Sequence, residues 1–373
     1  MIARALERSI NDQLFKGKVI LLMGARQTGK TTLMKKIAEK HKDFLWLNGD
    51  EYDIKERFRN PTSTKLKSLI GDHKLIFIDE AQQIDSIGIS LKLLYDNYQD
   101  IQLIVSGSSS FELRNRTNEP LTGRKIEFQM FPISFGEMLN HHSLLIEKRY
   151  FETRMIYGYY PEIINKQGDE ITLLKTLSDS YLYKDILMLE NLKKPEKLMS
   201  LLQALAFQIG SEISYNEIGN HIGLDSKTVE SYIDLLEKSF VVFRLRSFSR
   251  NLRNELKMSK KIYFYDNGIR NAIISNFQMI EGRMDKGALF ENMMVSERVK
   301  FNHYSNNYAN RYFWRTKNQN EIDYIEDKDG QISGFEFKLN EHKKFKISST
   351  FLNAYPEAKV KFFSQNNYED FLT

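Results

Sequence analysis

Short apolar runs, each followed by small or polar residues, alternate with helix-type patterns in the first half of the chain. The run at residues 19–23 precedes a glycine-rich segment, and the run at 75–78 precedes two carboxylates. A third run, at 101–105, precedes small hydroxyl side chains. Continuous apolar runs of this length are typical of strands that are buried on both faces of a parallel sheet. The pattern predicts a doubly wound α/β domain over residues 1–150, with polar groups at the carboxyl ends of its strands.

The segment that follows the first run has the spacing of a phosphate-binding loop. It reads Gly24, Ala25, Arg26, Gln27, Thr28, Gly29, Lys30, Thr31 and Thr32, which matches G-x-x-x-x-G-K-T. Between a strand and a helix, such a loop directs backbone N–H groups and a helix N-terminus at phosphates. Lys30 then reaches the β- and γ-phosphates, while Thr31 ligates Mg²⁺. A chance glycine-rich turn is the alternative, but the preceding strand favours a site for ATP with Mg²⁺.

Two adjacent carboxylates follow the second apolar run. Asp79 and Glu80 have the form of a Walker B element at the end of a buried strand. Asp79 is expected to hold the metal ion, and Glu80 to orient or deprotonate the attacking water. A solvated turn could also carry two acids, but a position downstream of a phosphate-binding loop favours the catalytic pair.

Two further positions could contact the γ-phosphate. Ser108 follows the third apolar run, where an ATPase with an additional strand keeps a polar sensor. Arg124 is a candidate arginine finger, and Arg114 and Arg116 are its rivals. Serine is common in turns and arginine is common on surfaces, so an ordinary structural role is the alternative for each.

Residues 215–238 show the pattern of a helix-turn-helix. Asp225 or Ser226 is the expected cap of the second helix. The apolar residues of that helix recur at helical spacing and predict an inward face: Val229, Tyr232, Ile233 and Leu236. The outward face includes two carboxylates, which make a poor surface for reading bases. We therefore predict a winged helix over 196–260 that contacts DNA through another surface or binds a protein partner.

A basic stripe lies at the end of this unit, from Arg244 to Lys261. Its cations are Arg244, Arg246, Arg250, Arg253, Lys257, Lys260 and Lys261, against the single acid Glu255. Such a stripe could neutralise several phosphates of DNA, although a solvated basic face has the same composition. If DNA binds the winged helix, this stripe is the predicted contact.

The last third of the chain carries a second set of chemical groups. Glu291 lies in an amphipathic helical pattern. Asp323 and Glu336 lie in two strand-like segments that are joined by a turn at residues 327–330, and Lys338 follows two residues after Glu336. One metal ion could bridge such carboxylates, although an E-x-K strand is also a common solvated edge.

The expected pairing of the two strands sets the geometry of this group. A hairpin that pairs Glu326 with Gln331 would place Asp323 opposite Gly334. Glu336 would then be the diagonal neighbour of Asp323 on the same face, at about 7–8 Å.

This arrangement resembles the core of PD-(D/E)xK nucleases. The resemblance implies that Glu291, Asp323 and Glu336 ligate Mg²⁺ and that Lys338 positions or activates water. The proline of that signature is absent, because residue 322 is isoleucine. Many such domains bind nucleic acid without cutting it.

Five segments together resemble one family. They are residues 24–32, 78–82 (IDEAQ), 123–124 (GR), 131–135 (FPISF) and 159–162 (YYPE). With these motifs the chain resembles the prokaryotic AAA-type ATPases that carry a C-terminal DUF4143 domain, which are related to archaeal-type and STAND-like ATPases. The resemblance spans nearly the whole chain and implies an architecture more than a cellular role. One departure is Tyr159, where relatives commonly carry a second glycine, and it leaves the geometry of that turn open.

Composition narrows the class of protein. The 373 residues exceed the size at which one core keeps growing, so about two to four compact units are expected. The chain has no cysteine, which excludes disulfides and cysteine-based metal sites. Its apolar runs are far shorter than the roughly 20 residues of a membrane span, and residues 1–8 lack an apolar signal core. A cytoplasmic protein without a membrane partner is expected.

These patterns predict an α/β protein of four parts. They are a P-loop ATPase domain with a parallel sheet (1–150), a helical lid or linker (151–195), the winged-helix unit (196–260) and a PD-(D/E)xK nuclease-like α/β domain (261–373).

Three functions remain open at this point. In the first, an ATPase uses its nucleotide state to control a DNA-directed, nuclease-like C-terminal domain. In the second, a slow STAND-like ATPase acts as a signalling switch on a protein partner without cleavage. In the third, a nuclease uses ATP only as an ordering ligand. The patterns leave the oligomeric state open, including a homo-oligomer.

Overall fold

The computed structural model describes residues 1–107, 117, 119–181, 194–249, 259–316, 318, 320–339 and 348–373. These residues form two compact units. Unit 1 comprises Met1–Ile133 with Lys238–Phe240, and unit 2 comprises Ser134–Glu237 with Val241–Thr373. Some predictions concern residues outside the described ranges and stay predictions: Ser108, Arg114, Arg116, Arg250, Arg253, Glu255, Lys257 and residues 182–193 of the linker.

Unit 1 contains the predicted parallel sheet. Its strands are β1 (Val19–Met23), β2 (Leu45–Asn48), β3 (Leu75–Asp79), β4 (Gln102–Gly107) and β5 (Lys125–Gln129). Its helices are α1 (Leu6–Asn11), α2 (Lys30–Ala38), α3 (Tyr52–Phe58), α4 (Ser63–Ile70) and α5 (Ile87–Asn97), with a 3₁₀ turn at Ala81–Gln83.

The order of these strands brings the predicted site together. The sheet runs β2-β3-β4-β1-β5, and every neighbouring pair is parallel. All residues of β1, β3 and β4 are buried, which explains the uninterrupted apolar runs in the sequence. Because β4 lies between β1 and β3, the segments that follow these three strands meet at one edge of the sheet.

Unit 2 contains a larger mixed sheet. Its strands are β6 (Glu212–Ile213), β7 (Val242–Ser247), β8 (Lys260–Phe264), β9 (Asn310–Arg315), β10 (Glu321–Lys328), β11 (Gln331–Phe337) and β12 (Lys359–Phe363). The helices of this part of the chain are α6 (Phe135–His141), α7 (Leu144–Arg149), α8 (Phe151–Tyr157), α9 (Pro161–Asn165), α10 (Glu170–Tyr181), α11 (Pro195–Phe207), α12 (Tyr215–Ile222), α13 (Ser226–Lys238), α14 (Asn267–Ile273), α15 (Lys286–Tyr304), α16 (Ser349–Ala354) and α17 (Glu369–Leu372), with a 3₁₀ turn at Ile280–Gly282. Among the described helices, none has both the length and the apolar character that crossing a membrane requires.

The expected division into four parts differs from these two units. The first unit ends at Ile133, so α6 and α7, which were expected in the ATPase domain, belong to unit 2. The sheet of unit 2 runs β12-β11-β10-β9-β7-β8-β6. It therefore joins strands of the segments expected as a winged helix and as a nuclease-like domain. The physical reason is that β7 pairs with both β8 and β9, so one ladder continues across the expected boundary at residue 260.

The helix-turn-helix pattern agrees with the helices that form. Helices α12 and α13 occupy the predicted positions, and all four residues of the predicted inward face of α13 are buried. Asp225 is the capping side chain, because its Oδ1 accepts hydrogen bonds from the backbone N–H groups of Lys227 and Thr228, both at 3.0 Å. Strands β6 and β7 each pair antiparallel with β8. The assignment of this segment as a DNA-binding winged helix remains a prediction.

The turn after α8 requires glycine at residue 158 but not at residue 159. Gly158 has φ 71°, and a Cβ atom there would lie 2.2 Å from Oδ1 of Asp266. Tyr159 is buried, has no left-handed backbone angle, and donates its backbone N–H to Oδ2 of Asp266 at 2.7 Å. The same carboxylate caps α14 by accepting from the N–H of Ile269 at 3.1 Å. Only residue 158 must therefore be glycine.

We predict that Gly158→Ala destabilises unit 2 far more than Gly168→Ala does. Gly168 also has a left-handed φ, 97°, but a Cβ there would meet nothing within 4 Å. The Gly168 variant should lose about 1 kcal/mol through backbone strain alone. The Gly158 variant should lose about 2–4 kcal/mol, because overpacking against Asp266 adds to that strain. Urea unfolding of both variants measures the difference, and equal losses would contradict the steric role of Asp266.

Candidate functional site

The predicted phosphate-binding loop forms between β1 and α2. It has left-handed backbone angles at Gln27 (φ 56°) and at Gly29 (φ 96°), which is the N-cap of α2. Gly24 is required for another reason, because a Cβ there would lie only 2.0 Å from the carbonyl oxygen of Met130. The first glycine of the motif therefore permits close packing against the chain that follows β5.

The side chains of the loop point back into it. Lys30 is only 4% exposed, and its Nζ donates to the carbonyl oxygens of Gly24 at 2.9 Å and Ala25 at 2.8 Å. Thr28 is fully buried, and its hydroxyl donates to the carbonyl of Ala25 at 2.9 Å. The ammonium group is thus held at the centre of the loop, where the phosphates of a nucleotide would be received.

A hydrogen-bonded cluster joins the loop to the predicted Walker B carboxylate. The hydroxyl of Thr31 donates to Oδ2 of Asp79 at 2.7 Å, and the hydroxyl of Ser106 donates to Oδ1. Asp79 is 5% exposed. The set combines a hydroxyl and a carboxylate, which are the oxygen ligands that Mg²⁺ prefers, so Thr31 and Asp79 fit the metal role predicted for them.

Ser106 is one of the small hydroxyl residues among which the polar sensor was predicted, although the role was assigned to Ser108, which lies outside the described residues. Ser106 is the next-to-last residue of β4 and is fully buried. Besides contacting Asp79, its Oγ accepts the backbone N–H of Glu80 at 3.1 Å. Its place as the first polar residue after the apolar run at 101–105 was the signal that could have favoured it over Ser108.

The second Walker B carboxylate has an unusual backbone. Glu80 lies in the left-handed region, with φ 49° and ψ 41°. A Cβ on Gly49, directly after β2, would lie 2.4 Å from the carbonyl oxygen of Glu80, so the two backbones are in close contact. Strained backbone of this kind concentrates at functional sites. The amide of Gln82 donates to Oε2 of Glu80 at 2.6 Å and thereby orients the carboxylate.

Arg124 does not join this cluster. It precedes β5, and its carbonyl accepts the N–H of Val19 at 2.9 Å, at the start of β1. Because β1 and β5 are parallel, Arg124 lies at the amino ends of the strands, about 17 Å from their carboxyl ends. Its Nε donates to Oδ1 of Asp96 at 2.8 Å. The structure therefore does not bring the predicted arginine finger to the loop of its own chain.

Arg4, which lies outside the loop in the sequence, contacts it. Its guanidinium donates to the carbonyl of Thr28, and through Nη2 to the carbonyl of Phe131 at 2.7 Å. These contacts join the start of the chain to the loop and to the segment after β5. No spacing pattern in the sequence indicated this residue.

The predicted register of the β10–β11 hairpin is wrong by two residues. Lys328 pairs with Gln331, where Glu326 was expected. Asp329 and Gly330 both have positive φ, 53° and 79°, and form a two-residue turn of the kind that Asp-Gly favours. This dipeptide was the signal that could have identified the register.

The corrected register changes the predicted carboxylate geometry. Tyr324 pairs with Phe335, so the next step of the ladder sets Asp323 across from Glu336, closer than the expected diagonal. Oδ2 of Asp323 accepts the N–H of Phe337 at 2.8 Å. Burial raises the pKa of both carboxyl groups, and the charge of Glu291 further raises that of Asp323, while Asp323 raises that of Glu336. The two side chains therefore share one buried environment.

A buried lysine occupies the same environment, and the sequence reasoning had assigned it to the basic stripe. Nζ of Lys261 lies 3.1 Å from Oε1 of Glu291 and also pairs with Glu321. The hydroxyl of Tyr263 donates to Oε1 of Glu291 at 2.6 Å. The predicted water-positioning group, Lys338, is half-buried, with its Nζ 3.7 Å from Oε2 of Glu336. Within the described ranges, no group of three or more His, Cys, Asp or Glu side chains is placed to hold one metal ion.

Most described members of the basic stripe are already paired. Arg244 donates through Nε to Glu237 at 2.8 Å, and Lys260 lies 3.3 Å from Glu230. Lys261 is buried in the cluster described above. Arg246 is the exposed member among the four described cations, so this part of the stripe offers less free charge than its composition suggested.

Three sequence families match consecutive parts of the chain. An AAA domain matches residues 16–139, a domain of unknown function, DUF8612, matches residues 148–279, and a domain of unknown function, DUF4143, matches residues 286–370. An uncharacterized protein of Methanocaldococcus jannaschii is 23% identical to this chain over 96% of this chain and 83% of its own length.

Two solved structures are similar. A Walker-type ATPase of Pyrococcus abyssi aligns with a TM-score of 0.51 and 14% identity, over 74% of this chain and 96% of that chain. A STAND protein of Pyrococcus horikoshii with a tetratricopeptide repeat sensor aligns with a TM-score of only 0.32 and 12% identity, over 83% of this chain and 48% of that chain. The first likeness shows the fold, and the second carries no argument. The chain thus carries an AAA domain with the fold of a P-loop ATPase, followed by a DUF4143 domain, as its motifs implied.

Proposed function

We propose that this protein binds and hydrolyses ATP with Mg²⁺ and that its nucleotide state controls the DNA-directed, nuclease-like region of unit 2. The observation that carries the first part is the cluster at the carboxyl ends of three adjacent strands. There the hydroxyls of Thr31 and Ser106 both donate to Asp79, and the backbone N–H of Glu80 donates to Oγ of Ser106. Because ATP is the substrate, a cytoplasmic location is part of the proposal.

Each side chain of the cluster has a role in this reaction. The backbone N–H groups of the loop and the start of α2 bind the phosphates, and Lys30 neutralises the β- and γ-phosphates. Thr31 and Asp79 hold the metal ion, which supplies charge neutralisation of the phosphate oxygens. Glu80 orients the attacking water and accepts its proton. Gln82 fixes the carboxylate of Glu80.

If Arg124 is the arginine finger, it acts on the nucleotide of a second copy, while Arg114 and Arg116 stay its rivals. Arg124 lies at the amino ends of the strands, whereas the loop of its own chain lies at their carboxyl ends. It could therefore contact a phosphate only in a homo-oligomer, where the arginine of one subunit faces the nucleotide of the next.

We predict that Lys30→Ala and Glu80→Gln separate binding from hydrolysis. Lys30→Ala should weaken ATP binding at least about 10-fold and abolish turnover, because the phosphates lose their buried cation. Glu80→Gln should keep the affinity and lower kcat about 10²-fold or more. Lys35→Ala, an exposed lysine on the same helix, is the matched control and should behave as wild type. Normal turnover in the Lys30 variant would overturn the assignment of the loop.

We also predict that Gln82→Ala lowers kcat about 10-fold while KM for ATP stays unchanged. The variant removes the amide that orients Glu80 but touches neither the loop nor Asp79, and groups that orient a functional ligand typically contribute on this scale. Steady-state kinetics separate the two constants. A rise in kcat would show instead that Gln82 restrains Glu80.

The contacts of the acidic cluster in unit 2 favour a role without cleavage. Glu291 and Glu321 of this cluster pair with the buried ammonium of Lys261, and among the described residues no three His, Cys, Asp or Glu side chains are placed to hold one metal ion. A role without cleavage equally fits the second function, a switch that acts on a protein partner. Turnover that increases with DNA supports control of a DNA-directed region, and turnover that is indifferent to DNA supports the protein switch.

For the same reason, we predict that the wild-type protein with Mg²⁺ or Mn²⁺ cuts no DNA or RNA while its ATPase is active. Single- and double-stranded substrates should be tested with and without ATP. If strands are cut, and Asp323→Ala or Lys338→Ala stops the cutting without lowering ATP turnover, the carboxylate site is an active nuclease centre and the third function regains support.

A further inference from the structure

The segment that precedes β1 is attached to the helix that follows the phosphate-binding loop. Its helix α1 carries Glu7, whose carboxylate pairs with Nζ of Lys36 in α2 at 2.7 Å and with Nζ of Lys40, just after α2, at 2.6 Å. Leu6, the first residue of α1, is buried. The backbone of Arg4, two residues before α1, is therefore fixed relative to α2.

The side chain of Arg4 bridges the loop and the chain that follows β5. Its guanidinium donates to the carbonyl of Thr28, and through Nη2 to the carbonyl of Phe131 at 2.7 Å. A Cβ on Gly29 would lie 3.6 Å from Nη1 of Arg4, so the guanidinium lies against the peptide unit that joins residues 28 and 29. Because the guanidinium is planar and rigid, it presents its N–H donors to the two carbonyls in a fixed geometry.

The contact with Thr28 controls the orientation of that peptide unit. Glycine populates both signs of φ at little cost, so the peptide unit before Gly29 has more than one accessible orientation. In a planar trans peptide unit the C=O and the N–H point in nearly opposite directions. A guanidinium that binds the carbonyl of Thr28 therefore directs the N–H of Gly29 away from itself. In the flipped orientation a carbonyl oxygen would take the place of that N–H, and it would repel a phosphate.

We propose that Arg4 is a positioning residue for the nucleotide site. By binding the carbonyl of Thr28, it keeps the N–H of Gly29 directed at a phosphate of the bound nucleotide, as the N–H groups of such loops are. Arg4 acts through the backbone of the loop and does not touch the nucleotide. Its role is distinct from that of Lys30, whose ammonium binds two carbonyls of the loop and neutralises the phosphates.

This inference rests on the proposed binding and hydrolysis of ATP and adds a residue to that site. The N–H groups of the loop contact the phosphates both in the bound substrate and in the transition state. Loss of an interaction that is made equally in both states raises KM and leaves kcat unchanged. The expected effect of removing Arg4 is therefore on KM for ATP.

The test compares four variants. Arg4→Ala removes the guanidinium, and Arg4→Lys keeps the charge without the planar pair of donors. Glu7→Gln weakens the attachment of α1 to α2 and leaves Arg4 in place. Arg8→Ala removes an arginine of α1 whose side chain is 93% exposed, and it is the matched control. Steady-state kinetics give kcat and KM for ATP, and urea unfolding measures the stability of each variant.

Arg4→Ala should raise KM about 10-fold and change kcat less than about 2-fold, since groups that orient a functional ligand typically contribute on this scale. Arg4→Lys should raise KM about 3-fold, because an ammonium donates to these carbonyls without the fixed fork. Glu7→Gln should unfold at a lower urea concentration and keep the wild-type KM. Arg8→Ala should match the wild type in both measurements.

The possible failures are distinguishable. If the wild-type protein neither binds nor hydrolyses ATP, the proposed function and this inference both fall. If the wild-type protein is active and Arg4→Ala keeps its KM, only the role of Arg4 is overturned. A fall in kcat at unchanged KM would show that Arg4 acts in the transition state, as an arginine finger does, and would also overturn the positioning role.

Two further outcomes concern folding. An equal rise of KM in Glu7→Gln would assign the effect to the packing of α1 and overturn a specific role of the guanidinium. If Arg4→Ala does not fold, Arg4→Lys decides, because a wild-type KM in that variant contradicts the need for paired donors.

Discussion

The hydrogen-bonded carboxylate of Asp79 is the interaction on which the site of unit 1 depends. A carboxylate that is 5% exposed must have its oxygens satisfied, and here the hydroxyls of Thr31 and Ser106 satisfy them. One hydroxyl belongs to the helix after β1 and the other to β4. They meet on Asp79 only because β4 lies between β1 and β3. The hydrogen bonds that satisfy this buried carboxylate therefore also hold the phosphate-binding loop and Glu80 in a fixed arrangement.

The two units satisfy their buried carboxylates in different ways. In unit 1 the described hydrogen-bond donors to Asp79 are two hydroxyls and the backbone N–H of Glu80, all neutral, so the carboxylate keeps a negative charge that could hold a cation. In unit 2 the ammonium of Lys261 lies between Glu291 and Glu321, so a cation of the fold already pairs with two of the carboxylates. The buried acid of unit 1 is thus satisfied by neutral donors, whereas two acids of unit 2 form ion pairs with a lysine.

Close backbone contacts determine where glycine is required. Gly24 and Gly49 each allow a neighbouring carbonyl to approach, at Met130 and at Glu80, so both glycines support the nucleotide site through packing. Gly158 serves a similar purpose beside Asp266 in unit 2. In each case the contacting residue is far away in the sequence. Sequence spacing alone therefore could not show why glycine is required at these positions.

The sequence by itself determined the phosphate-binding loop, the Asp79–Glu80 pair, strand β1 and helices α12 and α13, because spacing, apolar runs and capping residues are local properties. Only the tertiary structure decided that Ser106 contacts Asp79, that Lys261 joins the acidic cluster and that Arg124 lies away from the loop. Strand order and register create these contacts, and periodicity carries no information about either. The β10–β11 register was the intermediate case, since the Asp329-Gly330 turn is local and was present in the sequence.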